Sequence, residues 1–378
     1  GGDEYAFQFI RNKISDIEIT PAQLALDPCS ASAVITDVNT GEVRALVTYP
    51  SYDNNKFSGT VDAEYYNKLN NDQSLPLFNN ATQAQKAPGS TFKPIIAVAA
   101  LEEGVIGLND TVNCTGIYKE ITPALRCWIY PGQHGPLDVV HGIQNSCNVF
   151  FSEMGHRLSM DENGNYSPEL GIEKIRKYAS MFGLDETSGI EIAEREPQMT
   201  TEKPEASSIG QGKNSYSNIQ LSRYITAVAN KGTVFKLSLL DKMTDSQGNL
   251  LKDFTPEVRS TIDVKDSTWN AVHTGMRRVI SDGSARKIFS DLEVDIAGKT
   301  GTAEEIKNGH RVNHAFFVSF APYQNPEIAV TVNIPYGYSS SNAATAAKNI
   351  YRFYYGYTDL NYILNNSALN SSNVEIGD

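Results

Sequence analysis

The apolar positions of this chain change their period several times, and the changes divide it into segments. Residues 5–19 place Phe9, Ile10, Ile14 and Ile17 at helical spacing. Residues 33–38 and 43–47 are β-branched and apolar runs on either side of Asn39-Thr40-Gly41-Glu42, the pattern of a hairpin around an Asn/Gly turn. Residues 53–78 are polar and irregular and predict a long surface excursion. Residues 94–103 are apolar and Ala-rich on every face, which predicts a buried helix stopped by Gly104. Residues 111–135 read as loop, rich in Cys, Pro and Gly, and Asp138 is placed to N-cap a short helix leading to Asn145. Amphipathic helices are predicted over 170–182 and 221–230, the second ending near Gly232. The last third turns to β-rich segments at 295–297, 315–321 and 328–334, then to a closing helix over 343–354. Residues 365–378 are Ser/Asn-rich without apolar periodicity and predict a frayed tail.

This order predicts an α+β fold. The first and last strands share one antiparallel sheet flanked by helices, and an all-helical lobe is inserted between them. The expected division is a helix and lead-in over 1–30, one domain over 31–360 and a flexible tail over 361–378. Within the domain, the sheet lobe takes 31–80 and 285–360 and the helical lobe 81–284. No internal repeat with a period of about 20–50 residues is present.

Composition narrows the functional classes. With 40% hydrophobic and 20% charged residues, the chain of 378 residues is not an acidic disordered polymer and can bury an ordinary core. Its net charge of −12 gives no global basic footprint for a nucleic acid. Four cysteines are too few to build a disulfide scaffold. There is no apolar run of membrane-spanning length and no secretory leader pattern. The start, Gly1-Gly2-Asp3, reads as trimmed, so an anchor is expected to lie outside these residues.

Three short motifs carry chemistry. In Pro88-Gly89-Ser90-Thr91-Phe92-Lys93-Pro94 a loop runs straight into the apolar helix, with Ser90 near its N-terminus and Lys93 three residues on, on the same face. A serine hydroxyl needs an adjacent base to act as a nucleophile, and a lysine serves only when burial or a second cation favours its neutral form. The helix N-terminus also offers N–H groups to a developing oxyanion. Ser146-Cys147-Asn148 supplies a second hydroxyl and an amide that can relay a proton and hold a carbonyl. Gly298-Lys299-Thr300-Gly301-Thr302-Ala303-Glu304, at the end of a β-run, pairs a cation and hydroxyls with glycines that admit a substrate backbone. Each motif alone is compatible with a capping serine, a polar turn or a strand entering a Gly turn. Their joint occurrence, once each and in this order, is what carries weight.

With S-x-x-K, S-x-N and K-T-G in place, the chain resembles the penicillin-binding proteins, most closely the class B monofunctional peptidoglycan D,D-transpeptidases, over residues 33–355. Secondary matches are Thr40-Gly41-Glu42-Val43-Arg44-Ala45-Leu46, Tyr49-Pro50-Ser51-Tyr52-Asp53, His134-Gly135, Ile209-Gly210-Gln211-Gly212, Ala229-Asn230-Lys231-Gly232 and Asp282-Gly283-Ser284-Ala285. The resemblance implies the penicillin-binding, β-lactamase-like transpeptidase fold, and with it residue roles. Ser90 would attack the penultimate D-alanine carbonyl of a stem peptide ending in D-Ala-D-Ala, with Lys93 as base assisted by Ser146. Asn148 would bind the substrate amide. Lys299, Thr300, Gly301 and Thr302 would line the binding strand, with Lys299, Thr300 and Thr302 holding the terminal carboxylate and the N–H groups of Ser90 and Thr302 forming the oxyanion hole. β-Lactams would acylate the same Ser90. No cofactor is implied for catalysis. The implied setting is the outer face of the bacterial plasma membrane, through an N-terminal anchor absent from these residues, with a glycosyltransferase-type cell-wall synthase as partner. A D,D-carboxypeptidase, a serine β-lactamase and a non-enzymatic β-lactam sensor remain as alternatives.

Cys114, Cys127 and His134 fall within one loop ahead of Ser146, in a chain whose catalytic set is complete without them. They admit a structural zinc site, with Cys147, Asp138 or His141 as fourth ligand. They also admit a Cys114–Cys127 disulfide or free thiols. Cys29 stands apart and is expected to be buried.

Overall fold

The hairpin near the start and the strands near the end pair in one sheet. In the computed structural model, which describes residues 2–16, 18–19, 29–307 and 309–366, the strand Ala31–Asp37 is flanked by Val43–Tyr49 on one side and Ile328–Ile334 on the other, both antiparallel. His310–Ala321 and then Ala297–Lys307 complete five strands, with Ala297–Lys307 at the edge. Alternation decides the faces. Thr36, on one face, bonds Thr226 of the helix Asn218–Ala229 at 2.6 Å, while Ser319, on the other, bonds Tyr351 of the helix Ser340–Tyr354 at 2.9 Å. Covered on both sides, the strand Ile328–Ile334 is buried at six successive positions, which is why it reads as a continuous apolar run.

The helix Lys93–Glu102 has no polar face because it has no solvent face. Nine of its ten residues are buried, packed against the helices Asn148–Leu158, Pro168–Met181 and Asp266–Ser281. Each large aliphatic side chain buried there stabilises the fold by about 1.5–3 kcal/mol. Pro94 sits in the first turn, where its missing N–H costs nothing.

The structure departs from the patterning in several places. The middle of the chain is not helical throughout, because five two-stranded pairs punctuate it. Two of these, Val112–Cys114 with Gly135–Leu137 and Ile117–Tyr118 with Leu125–Arg126, lie in the segment read as loop. The polar excursion contains a helix, Ala63–Asn70, started by Asp62, whose carboxylate accepts from Glu64 and Tyr65 N–H. Two helices, Asn148–Leu158 and Asp266–Ser281, were not anticipated. The first is capped by a cysteine, Cys147, rather than by a usual cap residue. The second does carry an apolar stripe, Trp269, Val272, Met276, Val279 and Ile280, interrupted by His273 and Gly275. The strand bearing Lys299 does not stop at the motif but runs through it to Lys307. Finally, a helix spans Leu360–Asn366, inside the segment read as tail, and the first helix is Gly2–Ser15, shorter at its end than the pattern suggested. Residues 20–28 of the lead-in and 367–378 lie outside the described residues. Cys29 is half-buried rather than buried.

Candidate active site

The Ser90 segment forms one tight turn before its helix. Gly89–Phe92 is a single 3₁₀ turn that feeds directly into Lys93–Glu102, so half-buried Ser90 stands one turn ahead of the helix rather than on it. Two glycines make this possible. Gly89 has φ +54°, and a Cβ there would come within 2.6 Å of the Thr302 carbonyl oxygen. Gly210 has φ +74°, and a Cβ there would lie 1.9 Å from the Gly89 carbonyl oxygen. Gly89 N–H donates to the Gly210 carbonyl at 3.0 Å, and Tyr224 O–H donates to the Thr91 carbonyl at 3.0 Å. Only bare backbone can approach this closely.

Lys93 is fully buried at the start of its helix. Its Nζ donates to the Ser146 carbonyl at 2.7 Å, to Asn148 Oδ1 at 2.7 Å and to Ser146 Oγ at 3.3 Å. It also lies 5.6 Å from the centre of the Phe151 ring. Lys299, fully buried on the edge strand, reaches the same hydroxyl from the opposite side, with Nζ 2.8 Å from Ser146 Oγ and 3.0 Å from the Thr300 carbonyl. Ser146 sits at φ +49° between the helices Val139–Gln144 and Asn148–Leu158. Its Oγ accepts from both lysines, which spends its lone pairs and leaves its own proton to be donated elsewhere. Burial and a second cation, the two conditions that favour a neutral lysine amine, are both present.

The remaining residues fall around this core. Asn148 Nδ2 donates to the Arg126 carbonyl at 3.2 Å, tying the second motif to the short ribbon at 125–126. Thr300 Oγ1 lies 3.2 Å from Ser284 Oγ. Thr302 Oγ1 is buried with no hydrogen-bond partner among the described residues. Gly301 is where strand and nucleophile turn touch, since a Cβ there would meet Thr91 Cγ2 at 2.6 Å. The three motifs read from sequence are therefore one cluster. The residues that sequence reading did not assign are Ser284, Gly210, Tyr224, Phe151 and Arg126. Ser284 and Gly210 were visible only as members of secondary motifs.

Beside this cluster lies a second one. The sulfurs of Cys114, Cys127 and Cys147 and a ring nitrogen of His134 all lie within 4.8 Å of one another. His134 Nδ1 faces Cys114 Sγ at 3.5 Å and Cys127 Sγ at 3.7 Å, and Cys127 Sγ is 3.9 Å from Cys147 Sγ. All three cysteines are buried thiols without a disulfide, so the Cys114–Cys127 bridge is not formed. Hydrogen bonding with Cys147, and then with His134, pulls the Cys127 and Cys114 thiols down. Those bonds push Cys147 up. Burial opposes the imidazolium of His134, but hydrogen bonds to Cys127 and Cys114 raise it nonetheless. Three thiol sulfurs and an imidazole nitrogen this close together are a donor set that a thiophilic dication can take over. Asp138 and His141 are engaged elsewhere. Asp138 caps its helix and bonds His141 Nδ1 at 2.8 Å, and Arg278 donates to His141 Nε2 at 2.8 Å. Of the three candidates for fourth ligand, the fold presents Cys147.

Comparison with known proteins points the same way. A family model described as the penicillin binding protein transpeptidase domain matches residues 31–352. Peptidoglycan D,D-transpeptidase MrdA of Haemophilus influenzae is 30% identical over 366 residues, covering 87% of this chain and 53% of that protein. The crystal structure of Pseudomonas aeruginosa PBP2 in complex with WCK 5153 superposes with a TM-score of 0.72 at 28% identity, over 88% of this chain and 74% of that one. A structure described as showing coordination of polymerization and crosslinking by a peptidoglycan synthase complex gives a TM-score of 0.76 at 25% identity, over 88% of this chain and 56% of that one. The chain spans about half the length of the curated relatives it matches.

Proposed function

The chain belongs to the penicillin-binding protein transpeptidase family, class B, and from that premise we propose that it is a serine acyltransferase that cross-links peptidoglycan stem peptides through an ester on Ser90. The observation that carries this reading is the convergence of buried Lys93 and Lys299 on Ser146 Oγ, beside the Ser90 turn. The site lies where the sheet segments 31–80 and 285–360 meet the inserted segment 81–284, the two lobes of one catalytic domain in this reading.

The chemistry follows from the donors and acceptors. Neutral Lys93 gives up its longest bond, to Ser146 Oγ, and accepts the Ser90 proton directly or through that hydroxyl. Ser90 Oγ bonds to the penultimate D-alanine carbonyl carbon, and the N–H groups of Ser90 and Thr302 stabilise the oxyanion. The C–N bond breaks, the proton passes to the departing D-alanine amine, and the ester remains. An amine from a neighbouring stem peptide then attacks the ester carbon, the Ser90 C–O bond breaks, and the proton returns to Ser90. Asn148 holds the donor amide, while Thr300, Thr302 and the Lys299 charge receive the terminal carboxylate. In a β-lactam the broken C–N bond lies in the ring, so the amine stays tethered and the ester persists.

Cys114, Cys127, His134 and Cys147 fit a structural zinc ion, four N/S donors in a buried pocket. Zinc would supply a brace between the short ribbons and the Cys147-capped helix that carries Asn148, and no catalytic step. Assembly with a cell-wall synthase, at the outer face of the plasma membrane through a segment outside these residues, belongs to the same reading. Among the described residues no helix is long and apolar enough to cross a membrane.

The test is incubation with a fluorescent penicillin, followed by intact mass over time. A lasting adduct that Ser90→Ala abolishes supports the reading, and rapid return to the free mass would assign a β-lactamase instead. Product analysis on lipid-linked peptidoglycan then separates cross-linking from simple D-alanine release or mere binding.

A further inference from the structure

The transpeptidase reading sets a direction along the edge strand, and the direction leads to an unassigned group of side chains. If the terminal carboxylate rests at Lys299 and Thr300, and the scissile carbonyl lies where the Ser90 turn meets Thr302, then the substrate's C-terminus points toward low residue numbers. The residues that precede D-Ala-D-Ala must then pass toward Glu304 and beyond. Thr300, Thr302 and Glu304 occupy alternate positions and share one face of the strand. Glu304 stands about 7 Å beyond Thr302, two strand residues on. Directly across from Glu304 in the sheet is Asn313, and on the diagonal, two residues along that strand and opposite Ile306, is Arg311. Glu304 Oε1 and Arg311 Nη1 pair at 3.1 Å, with both side chains more than half exposed. Asn313 Nδ2 donates to the Tyr338 carbonyl at 3.2 Å, while its Oδ1 is buried and, among the described residues, has no partner. Thr302 Oγ1, on the same face, is likewise buried and without a partner there.

We propose that Glu304, Asn313 and Arg311 form a donor-peptide subsite for the residue before D-Ala-D-Ala, and that it selects a side chain ending in an amino-acid zwitterion over one ending in a simple amine. The chemistry is complementary. An amine would sit between the Glu304 carboxylate and Asn313 Oδ1, and a carboxylate on the same carbon would take the Arg311 guanidinium in a two-pronged bond. A lysine-type side chain satisfies Glu304 but brings no anion of its own to Arg311. A diamino-diacid such as meso-diaminopimelate satisfies both, replacing the open Glu304–Arg311 pair with two pairs to substrate. The neighbouring Glu305 is not part of this subsite. It lies on the other face, bound to Lys86 at 2.6 Å and to His314 Nε2 at 2.8 Å.

The proposal rests on the transpeptidase reading, and its test separates the two. The chain is first acylated with a fluorescent penicillin to count active Ser90. Synthetic pentapeptide donors carrying meso-diaminopimelate, its side-chain carboxamide, or L-lysine are then compared for exchange of the terminal D-alanine, each rate divided by the penicillin acylation rate of the same protein. The free diacid is expected to exceed lysine and carboxamide donors by roughly 2- to 5-fold, the scale of one half-exposed ion pair. Arg311→Gln should collapse that preference to near unity, and Glu304→Gln should lower all three amine-bearing donors together. Equal use of all three donors, a preference for lysine, or a preference unchanged by Arg311→Gln would overturn the subsite while leaving the transpeptidase reading intact. Absence of any penicillin adduct would overturn both.

Discussion

Lys93 grips Ser146 by its backbone as well as its hydroxyl: Nζ lies 2.7 Å from the Ser146 carbonyl oxygen and 3.3 Å from Oγ. The held residue has φ +49°, a conformation that costs a non-glycine residue about 1–2 kcal/mol. The Lys93 contacts thus bind a strained residue in the one place where its hydroxyl can also meet Lys299.

This arrangement separates two variants at one position. Ser146→Ala and Ser146→Gly both remove the hydroxyl, and each is expected to slow penicillin acylation of Ser90 by about 10²–10⁴-fold. Glycine adopts the left-handed backbone freely, so Ser146→Gly should be the more stable of the two by about 1 kcal/mol in urea unfolding. Equal stability of the pair would mean that the conformation is not strained.

Gly210→Ala tests the backbone support of the Ser90 turn. The new Cβ would fall 1.9 Å from the Gly89 carbonyl oxygen at a position with φ +74°. The turn carrying Ser90 must move, so acylation should drop at least about 10²-fold while the protein remains folded by circular dichroism. Wild-type acylation kinetics in this variant would count against the close approach.

The thiol cluster predicts bound metal. Native mass spectrometry of protein purified without chelator should show one zinc, removed by a chelator with a fall in Tm. Cys127→Ser and Cys147→Ser should each weaken metal retention, whereas Asp138→Asn should not, because Asp138 caps the helix beginning at Val139. A metal-free native mass, confirmed by elemental analysis, would end this assignment.

His273 makes the fold sensitive to acid. Burial pushes its imidazole down to about 4, and the neutral ring contacts the Val228 carbonyl through Nε2 at 2.7 Å. Unfolded, the same group titrates near 6.5. Its contribution is therefore complete above about pH 6.5 and is lost as pH falls through about 4, by up to roughly 3 kcal/mol. Replacing it in His273→Phe, beside Phe320 at 4.9 Å, should flatten unfolding free energy against pH between those limits. An unchanged slope would assign the acid sensitivity to other groups.

Much of the chain was legible from local pattern. The hairpin, the all-apolar Lys93 helix and the β-rich runs of the last third follow from which residues sit at which spacing. The same is true of S-x-x-K, S-x-N and K-T-G. Reading failed where a local signal was atypical or overridden. Cys147 is a poor-looking cap that starts a helix because its sulfur accepts the Phe150 N–H. The strand Val112–Cys114 is three residues of mixed polarity that become strand only because Gly135–Leu137 lies beside them.

Side-chain chemistry and short-range periodicity are properties of neighbours in the chain, and sequence alone determined them here: the serine of S-x-x-K, the two lysines, the three cysteines near one histidine, and the order of sheet and helices. Which of these groups meet depends on how segments separated by 53 to 153 residues pack, as Lys93 and Lys299 do on Ser146. Tertiary structure decided that convergence, the placing of Cys147 rather than Asp138 or His141 beside Cys114, Cys127 and His134, the close approach of Gly210 to Gly89, and the direction in which the edge strand presents Glu304. The physical reason is that burial and hydrogen-bond geometry act through space, and one-dimensional spacing does not specify them.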